Sequence, residues 1–179
     1  LLLEKSDMLG GGTTYSYGLV WVPRSHLAKA AGVEDSRDDV LAYMRFMGAG
    51  YQDEARMNAY IDRGPEAIEF YTSRGVRLGL SRTVKDMYAG KIAGALMGGR
   101  SLEHELISGL ELGEWRERIL VPPVTPHSAL VREFIAWGGI HNEANWDHGL
   151  MEERHKQDLR GLGYGLISGF VKEIGRAHV

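Results

Sequence analysis

A lone carboxylate followed by three consecutive glycines stands closest to chemistry in this chain. Glu4 follows the apolar run Leu1-Leu2-Leu3, read as the end of a short buried strand, and precedes Lys5-Ser6 and then Gly10-Gly11-Gly12-Thr13-Thr14. A carboxylate at the C-terminal edge of a strand can accept hydrogen bonds from both hydroxyls of an adenosine ribose. Glycines without Cβ atoms let backbone N–H groups approach a pyrophosphate, and the Thr13 and Thr14 hydroxyls can add donors. A plain turn after a strand is the alternative reading of the same residues. A complete dinucleotide fold carries a strand and a G-x-G-x-x-G turn roughly twenty to thirty residues before its ribose acid. Here three residues precede Glu4, so the chain reads as a fragment.

Two other patterns invite a chemical reading and are set aside. Gly161-Leu162-Gly163-Tyr164-Gly165 has the look of a dinucleotide fingerprint, but Glu152 to Arg160 before it is charged and helical, not a buried strand, so a helix start is expected there. His141, His148 and His155 recur at sevenfold spacing beside Asp147 and Glu152, and His148, Glu152 and His155 could share a helix face. Without an H-E-x-x-H order such a face is read as solvated, and no metal is expected.

Composition bounds the partners. The 179 residues carry 21 Lys and Arg against 24 Asp and Glu, a formal charge of -3, which offers no basic field for nucleic acid. No window reaches eighteen consecutive apolar residues, so no membrane span is expected. There is no cysteine, hence no disulfide, thiolate nucleophile or Cys-ligated zinc, and a cytoplasmic location is expected. The 24 glycines imply many tight turns.

The elements that must position the loop follow from periodicity and caps. Leu19 to Val22 reads as a strand ended by Pro23. Ser25 caps a helix to Ala31 with Gly32 as its stop, and Asp35 or Ser36 opens another with Val40, Met44 and Met47 on one face. A third helix is expected from Asp53 to Arg63, with Met57, Tyr60 and Ile61 inward. Gly64-Pro65 closes it and starts a fourth, with Ile68 and Tyr71 as its buried stripe. Val76 to Leu80 alternates as a half-buried strand does. Ser81 to Gly113 reads as loop with a strand near Ser101 to Glu105, followed by helices over 112–120, 129–137, 150–159 and 166–174, with prolines 122, 123 and 126 as a stiff connector.

The wider N-terminal string Glu4-Lys5-Ser6, Leu9-Gly10-Gly11-Gly12-Thr13, Ser16-Tyr17-Gly18 and Val20-Trp21-Val22-Pro23 resembles the FAD-binding segment of flavoproteins related to 3-ketosteroid dehydrogenase and the fumarate reductase flavoprotein. Ala31-Gly32-Val33 with Asp35-Ser36, Tyr60 to Glu66, Gly98 to Glu103 and Leu112-Gly113 extend the resemblance over roughly the first two-thirds of the chain. It implies that Glu4 holds the adenosine ribose, that Lys5 and Ser6 line its pocket, that Gly11, Gly12, Thr13 and Thr14 hold the pyrophosphate, and that Ser16 and Gly18 lie near the flavin ring. Tyr17 departs from the glycine that the family carries beside the isoalloxazine; a core aromatic with a satisfied hydroxyl is the plain reading.

Tyr88, in Lys85-Asp86-Met87-Tyr88-Ala89-Gly90, resembles the family's Asp-Tyr-Tyr element, whose region supplies a substrate-pocket tyrosine in ketosteroid dehydrogenases. Met87 replaces one member of that pair. A tyrosine needs a neighbouring positive charge or an oriented partner to act as a base, and an ordinary packing role is the alternative. Arg100 could bind an anionic substrate, with pairing to Glu103 as the default.

The expectation is thus an α+β, mostly helical chain: a partial Rossmann-like FAD-binding domain with a helical insertion over 1–80, and part of a substrate or cap region with return helices over 81–179. The function expected is that of a fragment of an FAD-dependent oxidoreductase acting on CH–CH bonds, transferring hydride between a 3-ketosteroid-like or related enone or ketone substrate and FAD. The alternatives are fumarate reductase-like reduction of an unsaturated carboxylate, or a non-catalytic flavin-binding or interaction domain. Met97, Leu102, Leu106, Ile107 and Trp115 favour an apolar small-molecule substrate over a dicarboxylate, which would need several Arg or His clamps. The electron acceptor is open, and the isolated chain is expected to hold little or no FAD and to be inactive.

Overall fold

The computed structural model describes residues 4–123 and 126–176. The strand expected at Leu1 to Leu3 lies outside the described residues, as do Val124 and Thr125 of the proline connector. In chain order the helices are α1 (Gly11–Thr14), α2 (His26–Ala30), α3 (Arg37–Gly48), α4 (Glu54–Ser73), α5 (Val131–Ala136), α6 (His148–Lys156) and α7 (Leu162–Arg176). The strands are β1 (Val20–Trp21), β2 (Leu78–Leu80), β3 (Ser101–His104), β4 (Ile107–Ser108) and β5 (Leu159–Arg160), and 3-10 turns run over Gly109–Arg118 and Glu143–Asn145. The arrangement is α+β with helix predominant. It forms two compact units, one of Leu1–Leu19, Gly75–Leu78 and Glu103–Val179, the other of Val20–Arg74 and Gly79–Leu102.

In the second unit the cap expected at Ser25 is in place, Ser36 and not Asp35 caps α3, and Asp53, expected as a helix start, is the cap of α4. Ser25 Oγ accepts from Ala28 N at 3.2 Å, Ser36 Oγ from Asp39 N at 3.0 Å and Asp53 Oδ1 from Arg56 N at 3.1 Å, each answering an orphan N–H of a first turn. β1 pairs antiparallel with β3, Val20 facing Leu102 and Trp21 facing Ser101.

Three expectations are corrected here. The inward face of α3 is Val40 and Tyr43, whereas Met47 is exposed. And Gly64-Pro65 does not divide the helix: α4 is one 20-residue helix with Pro65 inside it. Met57, Ile61, Gly64 and Ile68 form one buried stripe through the proline, and Gly64 lies where a Cβ would stand 3.2 Å from Val22. Packing along that stripe outweighs the hydrogen bond that proline removes. Tyr60 and Tyr71, expected inward, are partly exposed at the edges of the stripe.

In the first unit Leu112, Ile119, Tyr164 and Val171 form a core against which Leu9, Trp115 and Ile167 pack. Leu9 makes a parallel bridge with Ile119, its N–H donating to Arg118 O at 2.7 Å while Leu120 N donates to Leu9 O at 2.9 Å. The helix expected over 112–120 is instead the 3-10 run Gly109–Arg118, opened by a Ser108–Glu111 capping box and kinked at Gly113, whose φ of 55° an α-helix does not accommodate. The helical reading of 150–159 ends at Lys156, where the chain turns into β5, paired antiparallel with β4. Glu103 caps α5: its Oε2 accepts from Val131 N at 2.7 Å.

Candidate functional site

The loop from Glu4 to Gly18 lies wholly within the first unit. Glu4 is exposed, and its Oε1 accepts from Lys5 N at 2.7 Å and Ser6 N at 3.1 Å. The Ser6 N–H, then that of Lys5, hold its carboxyl below the ordinary carboxylate range, so it is an anion at neutral pH. Ser6 Oγ donates to Met8 O at 2.6 Å, turning the chain back toward the Leu9–Ile119 bridge. The Lys5 side chain is exposed beside it.

Gly10 and Gly11 have φ of 113° and 49°, left-handed values that suit glycine, and they lead into the single turn of α1. Gly11, Gly12 and Thr13 are exposed. A Cβ added to Gly11 or Gly12 would meet nothing within 4 Å, so the space over this backbone is left unfilled by protein. Thr14 behaves differently from its expected role as a phosphate donor: it is 1% exposed and its hydroxyl donates to Gly11 O at 2.9 Å, fixing the turn from inside. Ser16 Oγ donates to Thr13 O at 2.8 Å and accepts from Gly18 N at 3.0 Å, closing the end of the loop. Gly18 is buried, with φ of 63°.

Tyr17 is not a core aromatic. It is 40% exposed and lines a cleft of about 170 Å³ with Phe134, Trp146, His141 and Glu143. The Phe134 and Trp146 rings meet edge to face at 4.6 Å, and Trp146 Nε1 donates to Gly139 O at 3.1 Å. His148, Glu152 and His155 do share a face, lining another cleft together with His127; His148 Nε2 donates to Glu143 O at 2.8 Å, and the His155 ring stands 5.7 Å from that of His127. Among the described residues no group of three or more His, Asp or Glu is placed to hold a metal ion.

Tyr88 belongs to the second unit. It is 52% exposed, has φ of 60°, and meets the Phe46 ring edge to face at 6.1 Å. Arg100 does not pair with Glu103. Residues three apart in an extended segment point to opposite faces, and Arg100, 1% exposed, turns to two carboxylates distant in sequence. Its Nε and Nη2 fork onto Asp35 at 3.0 and 2.6 Å, and its Nη1 donates to Asp86 at 2.7 Å. This buried triad escaped the sequence reading, although Asp35, Asp86 and Arg100 each lie in a string that carried the family resemblance.

Comparison with known proteins bears on the loop. The profile of the family described as FAD binding domain matches residues 1–153. The chain belongs to this FAD-binding domain family. FAD is accordingly its cofactor class. It is 30% identical over 94% of its length to 29% of a 4-oxocyclohexanecarboxylate 2-dehydrogenase of Sinomonas cyclohexanicum. It is 30% identical over 63% of its length to 20% of a 3-oxosteroid 1-dehydrogenase of Mycobacterium tuberculosis. Its fold matches 3-ketosteroid delta1-dehydrogenase from Sterolibacterium denitrificans with a TM-score of 0.78 at 23% identity, over 98% of this chain and 34% of that one. The chain therefore spans less than a third of the length of the curated relatives it matches. Among the described residues no helix is long and apolar enough to cross a membrane.

The residues present fit an adenine dinucleotide. The unfilled space over Gly11 and Gly12 is what close approach of a pyrophosphate to backbone N–H groups needs, and an ionised, exposed Glu4 is what ribose hydroxyls need as an acceptor.

Proposed function

We propose that this chain supplies the ADP-binding loop and a substrate-side tyrosine of an FAD-dependent dehydrogenase that oxidises a CH–CH bond beside a ring carbonyl. The observation carrying the proposal is the exposed Gly11-Gly12 backbone, with no atom where its side chains would be, next to an anionic Glu4. In this reading the first unit carries a partial Rossmann-like cofactor-binding region and the second belongs to the substrate side. Glu4 holds the ribose, Lys5 and Ser6 border it, Gly11, Gly12 and Thr13 face the pyrophosphate, and Thr14 braces them. Ser16 and Gly18 shape the segment beside the flavin ring.

FAD, when bound, supplies the hydride acceptor. Tyr88 Oη donates to the ketone oxygen or takes the proton lost from the neighbouring ring carbon. A dicarboxylate substrate is disfavoured at one specific place: Arg100, which could have clamped a carboxylate, is fully engaged by Asp35 and Asp86. The names of the relatives, one acting on an oxocyclohexane carboxylate and one on an oxosteroid, support a cyclic ketone.

The test is to purify the flavoprotein that contains this chain, record its visible spectrum, and assay a 3-ketosteroid and 4-oxocyclohexanecarboxylate with an artificial electron acceptor. Bound flavin with turnover of either ketone is expected, together with loss of turnover in Tyr88→Phe. Bound flavin with no turnover of ketones or enoates would instead favour a non-catalytic flavin-binding domain, and absence of flavin would sink both.

A further inference from the structure

We infer that Arg100, Asp35 and Asp86 form a positioning clasp that holds Tyr88 in place, an inference that rests on the reading of Tyr88 as the substrate-side phenol. All four residues belong to the second unit. Asp86 sits two residues before Tyr88 and is the hub. Its Oδ1 accepts from Trp21 Nε1 at 2.7 Å, and its Oδ2 accepts from Leu96 N at 2.9 Å and from Arg100 at 2.7 Å. The Asp86 N–H in turn donates to Leu96 O at 3.0 Å, so residues 86 and 96 close the loop between them through both backbone and side chain. Arg100 is held from behind by Asp35 and lies over the Trp21 and Tyr43 rings, at 5.6 and 5.5 Å from their centroids.

The loop so closed is laid along α3. Gly94 approaches until a Cβ there would stand 2.0 Å from Asp39 O, and Tyr88 meets Phe46. Asp39, Tyr43 and Phe46 follow at helical spacing along one side of α3. Tyr88 itself has φ of 60°, which an L-residue with a large side chain keeps only when its surroundings over-determine it. A guanidinium and two carboxylates with side-chain exposures of 0–3% provide that constraint: removing Arg100 leaves two buried carboxylates without their cation, and removing the Asp86 carboxylate strips Trp21 Nε1, Leu96 N and Arg100 of their shared acceptor. Arg100 and Asp86 touch no reacting atom in this account; they act through the phenol.

The test uses the full flavoprotein with Asp86→Asn, Trp21→Phe, Tyr88→Phe and the double variant Asp86→Asn/Tyr88→Phe. Trp21→Phe removes a single donor to Asp86 and serves where Asp86→Asn fails to fold. Amide exchange over residues 87–96 is expected to rise about tenfold or more in Asp86→Asn and less in Trp21→Phe. Turnover in Asp86→Asn should drop on the order of tenfold to a hundredfold, as small misplacements of a reacting group do. In the Tyr88→Phe background the same substitution should cost less than about twofold, since coupled residues are not additive. Unchanged exchange over 87–96 in both Asp86→Asn and Trp21→Phe would overturn the clasp. Fully multiplicative losses in the double variant would overturn its action through Tyr88. If Tyr88→Phe alone keeps wild-type turnover, the role assigned to Tyr88 fails, while a rise in exchange still supports the clasp as the brace of this loop.

Discussion

Gly18 lies so close to Leu162 that a Cβ on Gly18 would stand 2.4 Å from the Leu162 carbonyl carbon. Gly163 completes the contact: its own Cβ would fall 1.8 Å from Thr13 O, and its N–H donates to Ser16 O at 3.0 Å. The start of α7 is thus pressed against the end of the loop that runs from Gly10 to Gly18. The Gly161 to Gly165 run, which has the look of a phosphate loop, is instead backbone surface against which the segment from Thr13 to Gly18 packs.

Gly18→Ala is therefore expected to be severe. The side chain would need a left-handed backbone, worth roughly 1–2 kcal/mol, and would overlap main-chain atoms that cannot rotate away. A loss of about 3 kcal/mol or more in urea denaturation is expected, with flavin content falling in parallel.

Gly12→Val should show the opposite pattern. Open space surrounds the position, so stability should change by no more than about 0.5 kcal/mol, while a branched side chain over the cradle lowers bound FAD at least about tenfold. Glu4→Gln should weaken FAD about tenfold, because a neutral amide replaces a charged acceptor. Flavin absorbance per protein after gel filtration, read beside a thermal melt, separates the two effects.

His104 sets a pH dependence. Burial pushes its imidazole below the ordinary value near 6.5, opposed by the contact of Nδ1 with Glu105 O at 2.5 Å. As pH falls through the ordinary value, the unfolded chain binds a proton that the folded chain refuses. Its contribution to stability is whole above that value and is lost toward the lower folded one, at up to about 1.4 kcal/mol per pH unit. Denaturation between pH 8 and 5 should show this slope in the wild type and a shallower one in His104→Gln, each referred to its own value at pH 8.

Pro65→Ala should stabilise the second unit. It restores an N–H to a helix interior that is otherwise continuous, worth about 3 kcal/mol locally, less the roughly 1 kcal/mol that proline contributes by restricting the unfolded chain. A rise in melting temperature is expected; a fall would mean that the ring of Pro65 itself packs productively.

Local chemistry was legible where it is decided locally. The cap at Ser25, the helix starts at Ser36 and Asp53 and the glycine turn at residues 10–12 follow from residues within three or four positions of the groups they serve. Pro65 misled because the stripe from Met57 to Ile68 is a tertiary fact that overrides a local breaker. Arg100 misled for a related reason: its nearest acid in sequence lies on the other face, and its partners stand 65 and 14 residues away. The Thr14 hydroxyl, read from the sequence as a donor to phosphate, is claimed by the Gly11 carbonyl of its own turn.

The chain passes between the two units after Leu19, Arg74, Leu78 and Leu102. Neither unit can then be excised as one uninterrupted stretch of polypeptide. A gene fragment for residues 20–102 would carry Gly75–Leu78 as a passenger cut from its own neighbours, and a shuffling crossover placed between 20 and 102 would exchange parts of both units at once. Faithful grafting onto another flavoprotein would take the whole segment, with its breakpoints outside all four passages.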